Sequence, residues 1–154
     1  ASAAELSLPG QALPAWTGVV THVVDGDTVY VRPVAGGLSR SLRLLGMDAP
    51  EICQEGGVAA RDALIERVFQ RQVQVHVQGT DDYGRYLVRL YLTREDVGHW
   101  MVQRGHAWSY RFRQDPGPYA EAQRRAQILR RGIFAGLPPE NPRDFRRRHG
   151  PCTL

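Results

Sequence analysis

A five-stranded β barrel with three accessory helices is the fold this 154-residue chain predicts. Two observations carry it. Five β-rich stretches punctuated by Gly, Pro and Asp turns lie within the first ninety-two residues, and a helical stretch interrupts them between the third and the fourth. Five strands with a helix after the third is the order of an OB-fold barrel, an α+β architecture that is mainly β.

The elements follow in order. Residues 1–15 are small, polar and Pro-containing, and read as a flexible lead-in. Thr17 to Val24 and Thr28 to Pro33 are the first two strands, joined by the turn Asp25-Gly26-Asp27. Leu42 to Met47 is the third, after a turn at Gly36-Gly37, and Pro50 stops it. Gly57 to about Gln70 has helical spacing, with Val58, Ala59, Leu64, Ile65, Val68 and Phe69 as the apolar stripe against Arg61, Asp62, Glu66 and Arg67. Val73-Gln74-Val75-His76-Val77 alternates as a strand with one buried face. Asp82-Tyr83-Gly84-Arg85 turns the chain into Tyr86 to Leu92, completing a hairpin. Asp96 caps a short helix that runs to about Arg104 and ends at Gly105. Pro118 to about Arg131 is the third helix, followed by Gly132. The expected organisation is a lead-in (1–15), a barrel domain (16–136) and a Pro- and Arg-rich extension (137–154) that wraps the surface.

Hydrophobic residues make up 42% and charged residues 23%, the balance of a globular chain long enough for one core. No apolar run approaches the roughly 18 residues of a membrane span, so no membrane association is expected. The net charge of +4 and pI near 9.5 suit a polyanionic partner. All 20 basic residues are arginines. Arg binds phosphate through a planar fork. Coding bias explains the missing Lys as well, so the positions of individual arginines matter more than their number. Ala1-Ser2-Ala3-Ala4 reads either as the scar of signal-peptide cleavage or as the edge of a trimmed chain, and an exported location, secreted or periplasmic, is the expectation. Cys53 and Cys152 fit no zinc-site spacing. They are either one disulfide, tying the tail to the loop after Glu51, or two unrelated thiols.

Asp27 and Asp48 are hard oxygen donors, which together with a backbone carbonyl and waters suit Ca²⁺. Asp25 is assigned to the turn alone. Glu51 lies close enough in sequence to accept a proton from an attacking water or to orient it. A carboxylate favouring a helix N-terminus is the plainer role for the same residue. Alternation puts Arg43 on the face of Leu45 and Met47, the expected inner face, where an anionic occupant would offset its burial. Arg85 follows the hairpin turn and approaches from the other side. Two guanidinium forks suit the equatorial oxygens of a phosphorane. Tyr83, Trp108, Tyr110 and Phe112 offer rings for base stacking or for core packing. Trp16 and Trp100 are expected to pack, and the scattered histidines form no metal set. Arg146-Arg147-Arg148-His149 is expected to be a solvated end that adds nonspecific phosphate attraction.

In order and in compatible spacing, Val24-Asp25-Gly26-Asp27-Thr28, Arg43-Leu44-Leu45-Gly46-Met47-Asp48-Ala49-Pro50-Glu51 and Asp82-Tyr83-Gly84-Arg85 resemble the motifs of the staphylococcal nuclease (thermonuclease) family. Arg131-Gly132-Ile133-Phe134-Ala135 resembles the end of that family's closing helix, and the likeness runs from about Trp16 to Phe134. It implies Ca²⁺-dependent, sugar-nonspecific cleavage of single- and double-stranded DNA and of RNA, leaving 3′-phosphates; no obligate protein partner is inferred. It implies Asp27 and Asp48 as metal ligands and Ala49 as a ligand through its backbone carbonyl. Arg43, Glu51 and Arg85 would be catalytic, Tyr83 would lie near the terminal phosphate, and Tyr110 would stack on a base. Asp82 departs from the pattern by replacing a phosphate-contacting Lys, and Phe112 by replacing a Tyr. The competing classes are a noncatalytic nucleic-acid-binding module of the same family and a plain OB-fold binder. Degenerate modules should lack some of Asp27, Arg43, Asp48, Glu51 and Arg85, and all five are present.

Overall fold

The computed structural model describes residues 15–153. In chain order its elements are β1 (Ala15–Asp25), β2 (Thr28–Pro33), β3 (Arg40–Leu44), β4 (Met47–Asp48), α1 (Gly57–Val68), β5 (Gln72–Thr80), β6 (Tyr86–Leu92), β7 (Glu95–Asp96), α2 (Val97–Gln103), β8 (Trp108–Ser109), α3 (Ala120–Ile128), a 3-10 turn (Gly132–Phe134) and α4 (Pro142–His149). The main sheet runs β3-β2-β1-β5-β6-β7. β3 and β6 also pair with each other, in parallel, Leu42 opposite Tyr86 and Leu44 opposite Val88. That pairing joins the sheet's edges and closes a five-stranded barrel, with β7 an appendage of β6. β4 and β8 form a separate two-stranded ribbon.

The barrel closes because alternate side chains of each strand point inward. On β2, Val29 and Val31 are fully buried while Tyr30 and Arg32 face out. Leu42, Leu44, Val73, Val75, Val88 and Leu90 repeat the pattern around the interior. Ala60, Leu64 and Val68 of α1 and Val97, Met101 and Val102 of α2 complete one continuous core. Each fully buried Val or Leu contributes about 1.5–3 kcal/mol. β1 is long enough to pair with both β2 and β5, and two register shifts, at Val20/His22 and Val23/Asp25, bend it around the barrel.

Several expectations need correction. Of the lead-in, residues 1–14 lie outside the described residues, and Ala15 already belongs to β1. The strand expected from Leu42 to Met47 ends at Leu44, because the chain turns through Gly46 in a left-handed conformation (φ 82°). A Cβ there would meet Pro118 Cγ at 2.8 Å, so only glycine allows both the turn and the close approach. Met47 and Asp48 thereby leave the barrel wall to pair with β8. The same break reverses the facing assigned to Arg43: Leu42 and Leu44 are the inner residues, and Arg43 lies on the opposite side of β3. α1 stops at Val68 and buries Ala60, Leu64 and Val68, so Val58 and Phe69 of the expected stripe are exposed. The third helix is shorter than expected at both ends. The extension contains a fourth helix, α4, where a surface wrap was expected. Asn141 caps it by accepting the Arg143 N–H at 2.9 Å, Pro142 occupies its first turn, and Phe145 is buried beneath it.

Candidate active site

The β1–β2 turn, the outward side of β3, the β4 ribbon and the loop entering α1 meet at one end of the barrel. Asp25 Oδ1 accepts the Asp27 N–H at 3.1 Å, the self-capped turn that Asp-Gly-Asp predicts. The Asp27 carbonyl then accepts the Leu44 N–H at 2.8 Å, and Thr28 sits opposite Arg43. This register delivers the Arg43 guanidinium to the Asp27 carboxylate. Arg43 Nη2 lies 3.3 Å from Asp27 Oδ2 and 3.6 Å from Asp48 Oδ1. Asp27 Oδ2 also accepts the Ala49 N–H at 3.2 Å, so the turn and the β4 ribbon are bound to each other directly. Arg43 Nε is buried without a partner, which leaves part of its donor capacity unmet.

Asp27 and Asp48 are 7% and 5% exposed. Burial pushes Asp48 above the ordinary carboxylate range, offset in part by the charge of Arg146. Asp25 is pushed up to about 7, first by burial and then by the neighbouring charge of Asp27. Its side-chain hydrogen bond is that of the turn, the role expected of it. Glu51 is placed by Gln54, whose Oε1 accepts the Glu51 N–H at 3.0 Å while its own N–H donates to the Glu51 carbonyl at 2.9 Å. Gly57 makes room for that loop, since a Cβ there would fall 1.9 Å from the Glu51 carbonyl oxygen.

The Glu51 carboxylate has a partner that the sequence did not suggest. Arg146 of α4 places Nη1 2.5 Å from it, and reaches both oxygens of Asp48 at 3.4 Å. Burial lowers the Arg146 pKa, but the hydrogen bond to Glu51 and the charge of Asp48 outweigh it and hold the guanidinium firmly protonated. The basic run of residues 146–149 is thus not simply a solvated end. Cys53 and Cys152 are bonded to each other, which fixes the segment after α4 to the loop after Glu51.

Arg85 is held separately. Its Nε donates to Asp81 Oδ2 at 2.7 Å and its backbone N–H to Asp81 Oδ1 at 2.9 Å. Among the described residues no ion pair links it to Asp27, Asp48 or Glu51. Leu87 is the register partner of Arg43 and Tyr86 that of Leu42, which brings the start of β6, with Arg85 just before it, alongside β3. Tyr83 is 86% exposed at the hairpin tip, its ring 5.8 Å from the Arg85 guanidinium. Tyr110 and Phe112 are also exposed, whereas Trp108 is buried edge-on against Phe134 and belongs to the core.

The donor chemistry fits a hard cation held by few protein groups. Among the described residues no three His, Cys, Asp or Glu side chains are grouped as a metal cage. Asp27, Asp48 and Glu51 together bring three carboxylates against the two guanidiniums of Arg43 and Arg146. A cation there would draw its remaining oxygens from backbone and water, as Ca²⁺ commonly does.

Residues 41–135, more than half of the chain, match the family model described as staphylococcal nuclease homologue. The chain belongs to the staphylococcal nuclease family. It is 31% identical to a micrococcal nuclease of Shigella flexneri over 150 residues, covering 88% of this chain and 85% of that protein. It is 34% identical to an uncharacterized endonuclease of Haemophilus influenzae, covering 83% and 71%. A probable staphylococcal-like nuclease of Oryza sativa subsp. japonica is 32% identical over 69% of this chain, which spans only 28% of that relative's length. The family match ends before α4, so Arg146 and Cys152 lie beyond the part of the chain that the family model describes.

Two members of the site escaped sequence reasoning. Asp81 is adjacent to a motif read from Asp82 onward, and its Asx-turn position was the available signal. Arg146 was legible only as part of a charge run. The pattern Asn141-Pro142 followed by Phe145 was the available sign of a capped helix with one buried side chain.

Proposed function

We propose that this chain is a calcium-dependent, sugar-nonspecific endonuclease that hydrolyses phosphodiester bonds of DNA and RNA and leaves 3′-phosphates. One observation carries the reading: Arg43 lies between the buried carboxylates Asp27 and Asp48, at 3.3 and 3.6 Å, and Arg146 links Asp48 to Glu51. Family membership and relatives named as nucleases support it.

Asp27, Asp48 and the Ala49 carbonyl would hold the cation, which when bound supplies Lewis-acid polarisation of the phosphoryl group and charge neutralisation. Glu51 orients the attacking water and takes its proton. Arg43 and Arg85 grip the equatorial oxygens as charge builds on phosphorus, and electrostatic aid of this kind is worth on the order of 10²–10³ in rate per donor. Tyr83 stands near the terminal phosphate and Tyr110 stacks on a base. The substrates are single- and double-stranded DNA and RNA. The disulfide supports an exported location, since such bonds persist in oxidising compartments.

The deciding experiment is degradation of single-stranded DNA with added Ca²⁺ and with chelator, followed by end-group analysis. Cleavage only with Ca²⁺, with 3′-phosphate ends, is expected. A second reading, a noncatalytic binding module, is favoured by the engagement of Glu51 with Arg146. Retained binding without cleavage under either condition would select it.

A further inference from the structure

Arg146 stands where the proposed chemistry needs free carboxylates. Its Nη1 is 2.5 Å from Glu51 and 3.4 Å from Asp48 Oδ1, and its Nη2 is 3.4 Å from Asp48 Oδ2. A carboxylate that holds a guanidinium this closely is a poor acceptor for a proton from water. A ligand carboxylate with a fixed positive charge at both oxygens offers a second cation less attraction. The contact thus opposes metal binding and water activation together.

The placement is built rather than incidental. α4 is fastened at both ends to the loop that carries Glu51. Before the helix, Gln54 Nε2 donates to the Glu140 carbonyl at 2.6 Å. After it, Cys152 is bonded to Cys53, two residues beyond Glu51. Between these ties Phe145 is buried, and Arg148 pairs with Glu140 at 2.7 Å. With Phe145 seated against the body, the next residue on the helix is directed to the carboxylates.

We propose that α4 is an intramolecular inhibitory strap. Arg146 competes with the metal and with the attacking water for Asp48 and Glu51, and the Cys53–Cys152 bond keeps it there. Release follows reduction by a dithiol: the Sγ–Sγ bond accepts two electrons and two protons to give two thiols, and the dithiol becomes a disulfide. The strap rests on the nuclease reading, because it needs Asp48 as a metal ligand and Glu51 as the base.

The test is calorimetric titration of the full oxidised chain with CaCl₂, alongside Arg146→Ala and the control Arg147→Ala, which removes the same formal charge from an exposed position. Circular dichroism melts check the fold, and Arg146→Gln replaces Arg146→Ala should the latter not fold. Arg146→Ala should bind Ca²⁺ roughly two- to fivefold more tightly, the scale of a partly exposed ion pair, with Arg147→Ala unchanged. Cleavage by Arg146→Ala at limiting Ca²⁺ should rise in parallel. Equal affinity in wild type and Arg146→Ala, or equal tightening in both variants, overturns the strap and leaves the metal reading standing. Slower cleavage by Arg146→Ala at saturating Ca²⁺ overturns it as well, by making Arg146 a productive residue. Absence of Ca²⁺ binding in every chain overturns the metal reading and the strap together. Dithiothreitol should move the wild type toward the Arg146→Ala value, and a reduced wild type that titrates like the oxidised one overturns the role given to the disulfide.

Discussion

Asp81 holds Arg85 at two levels: one carboxylate oxygen accepts the Arg85 backbone N–H at 2.9 Å and the other its side-chain Nε at 2.7 Å. The first oxygen also accepts the Tyr83 N–H at 3.0 Å, so one side chain shapes the hairpin tip and aims the guanidinium. These bonds hold Asp81 below the ordinary carboxylate range despite the opposing effect of desolvation. Held through Nε, Arg85 keeps its terminal nitrogens for an anion. Arg85→Ala should lower turnover on the order of 10²–10³ with the fold intact. Asp81→Ala should lower it less, because the guanidinium survives and only its aim is lost. Near wild-type turnover in Arg85→Ala would remove Arg85 from the mechanism.

Glu51→Gln keeps the shape and the capacity to accept a hydrogen bond but loses the charge that takes a proton. Turnover should fall by about 10²–10⁴, the usual weight of general base catalysis, with an unchanged melting profile. Single-turnover cleavage measures it. A variant as fast as wild type would leave Glu51 a loop residue only.

Asp27→Asn preserves volume while withdrawing one of the two buried charges near Arg43. The Ca²⁺ concentration giving half-maximal cleavage should rise before the maximal rate falls. A calcium titration superposable on wild type would exclude Asp27 as a ligand.

The bond between Cys53 and Cys152 closes a loop with a sequence separation of 99. In the chain-entropy description a loop of that size stabilises by about 4–5 kcal/mol. The double variant Cys53→Ser, Cys152→Ser should lose up to that amount in urea unfolding. A midpoint equal to wild type would show that the tail adds nothing to the cooperative unit.

Asp25 supplies a pH signature. Its pKa of about 7 in the folded protein is above the 3.8 of an unperturbed Asp. The folded state therefore binds the proton more tightly than the unfolded chain, and this group's contribution to stability falls as pH rises from about 4 to about 7. Above that window both states are ionised and the contribution is level. In chelator, the melting temperature of Asp25→Asn minus that of wild type should grow across this interval. A constant difference would show that Asp25 titrates normally.

The barrel was legible because its causes are local. Alternating Val and Leu specify which faces are buried, and Asp25-Gly26-Asp27 specifies its own turn through one short hydrogen bond. Asp27 and Arg43 meet because β2 and β3 are adjacent and Thr28 pairs with Arg43, a nearness that strand order already implies, whereas Asp48 reaches them from the separate β4 ribbon. The break of the third strand at Gly46 was harder to see, since Leu45 and Met47 extend the alternation on paper while packing against Pro118 demands a bend. α4 hid for a related reason: Phe145 and its capping pair are a weak signal among four arginines. The contacts that α4 makes have no local cause. Arg146 meets Glu51 across a sequence separation of 95, and Cys53 meets Cys152 across 99. Pairing at that distance depends on the path of the whole chain around the barrel. Local chemistry in the sequence thus specifies the barrel and nominates its acidic and basic residues. The folded arrangement alone assigns those residues their charge partners, because burial and ion pairing arise when distant segments are brought together.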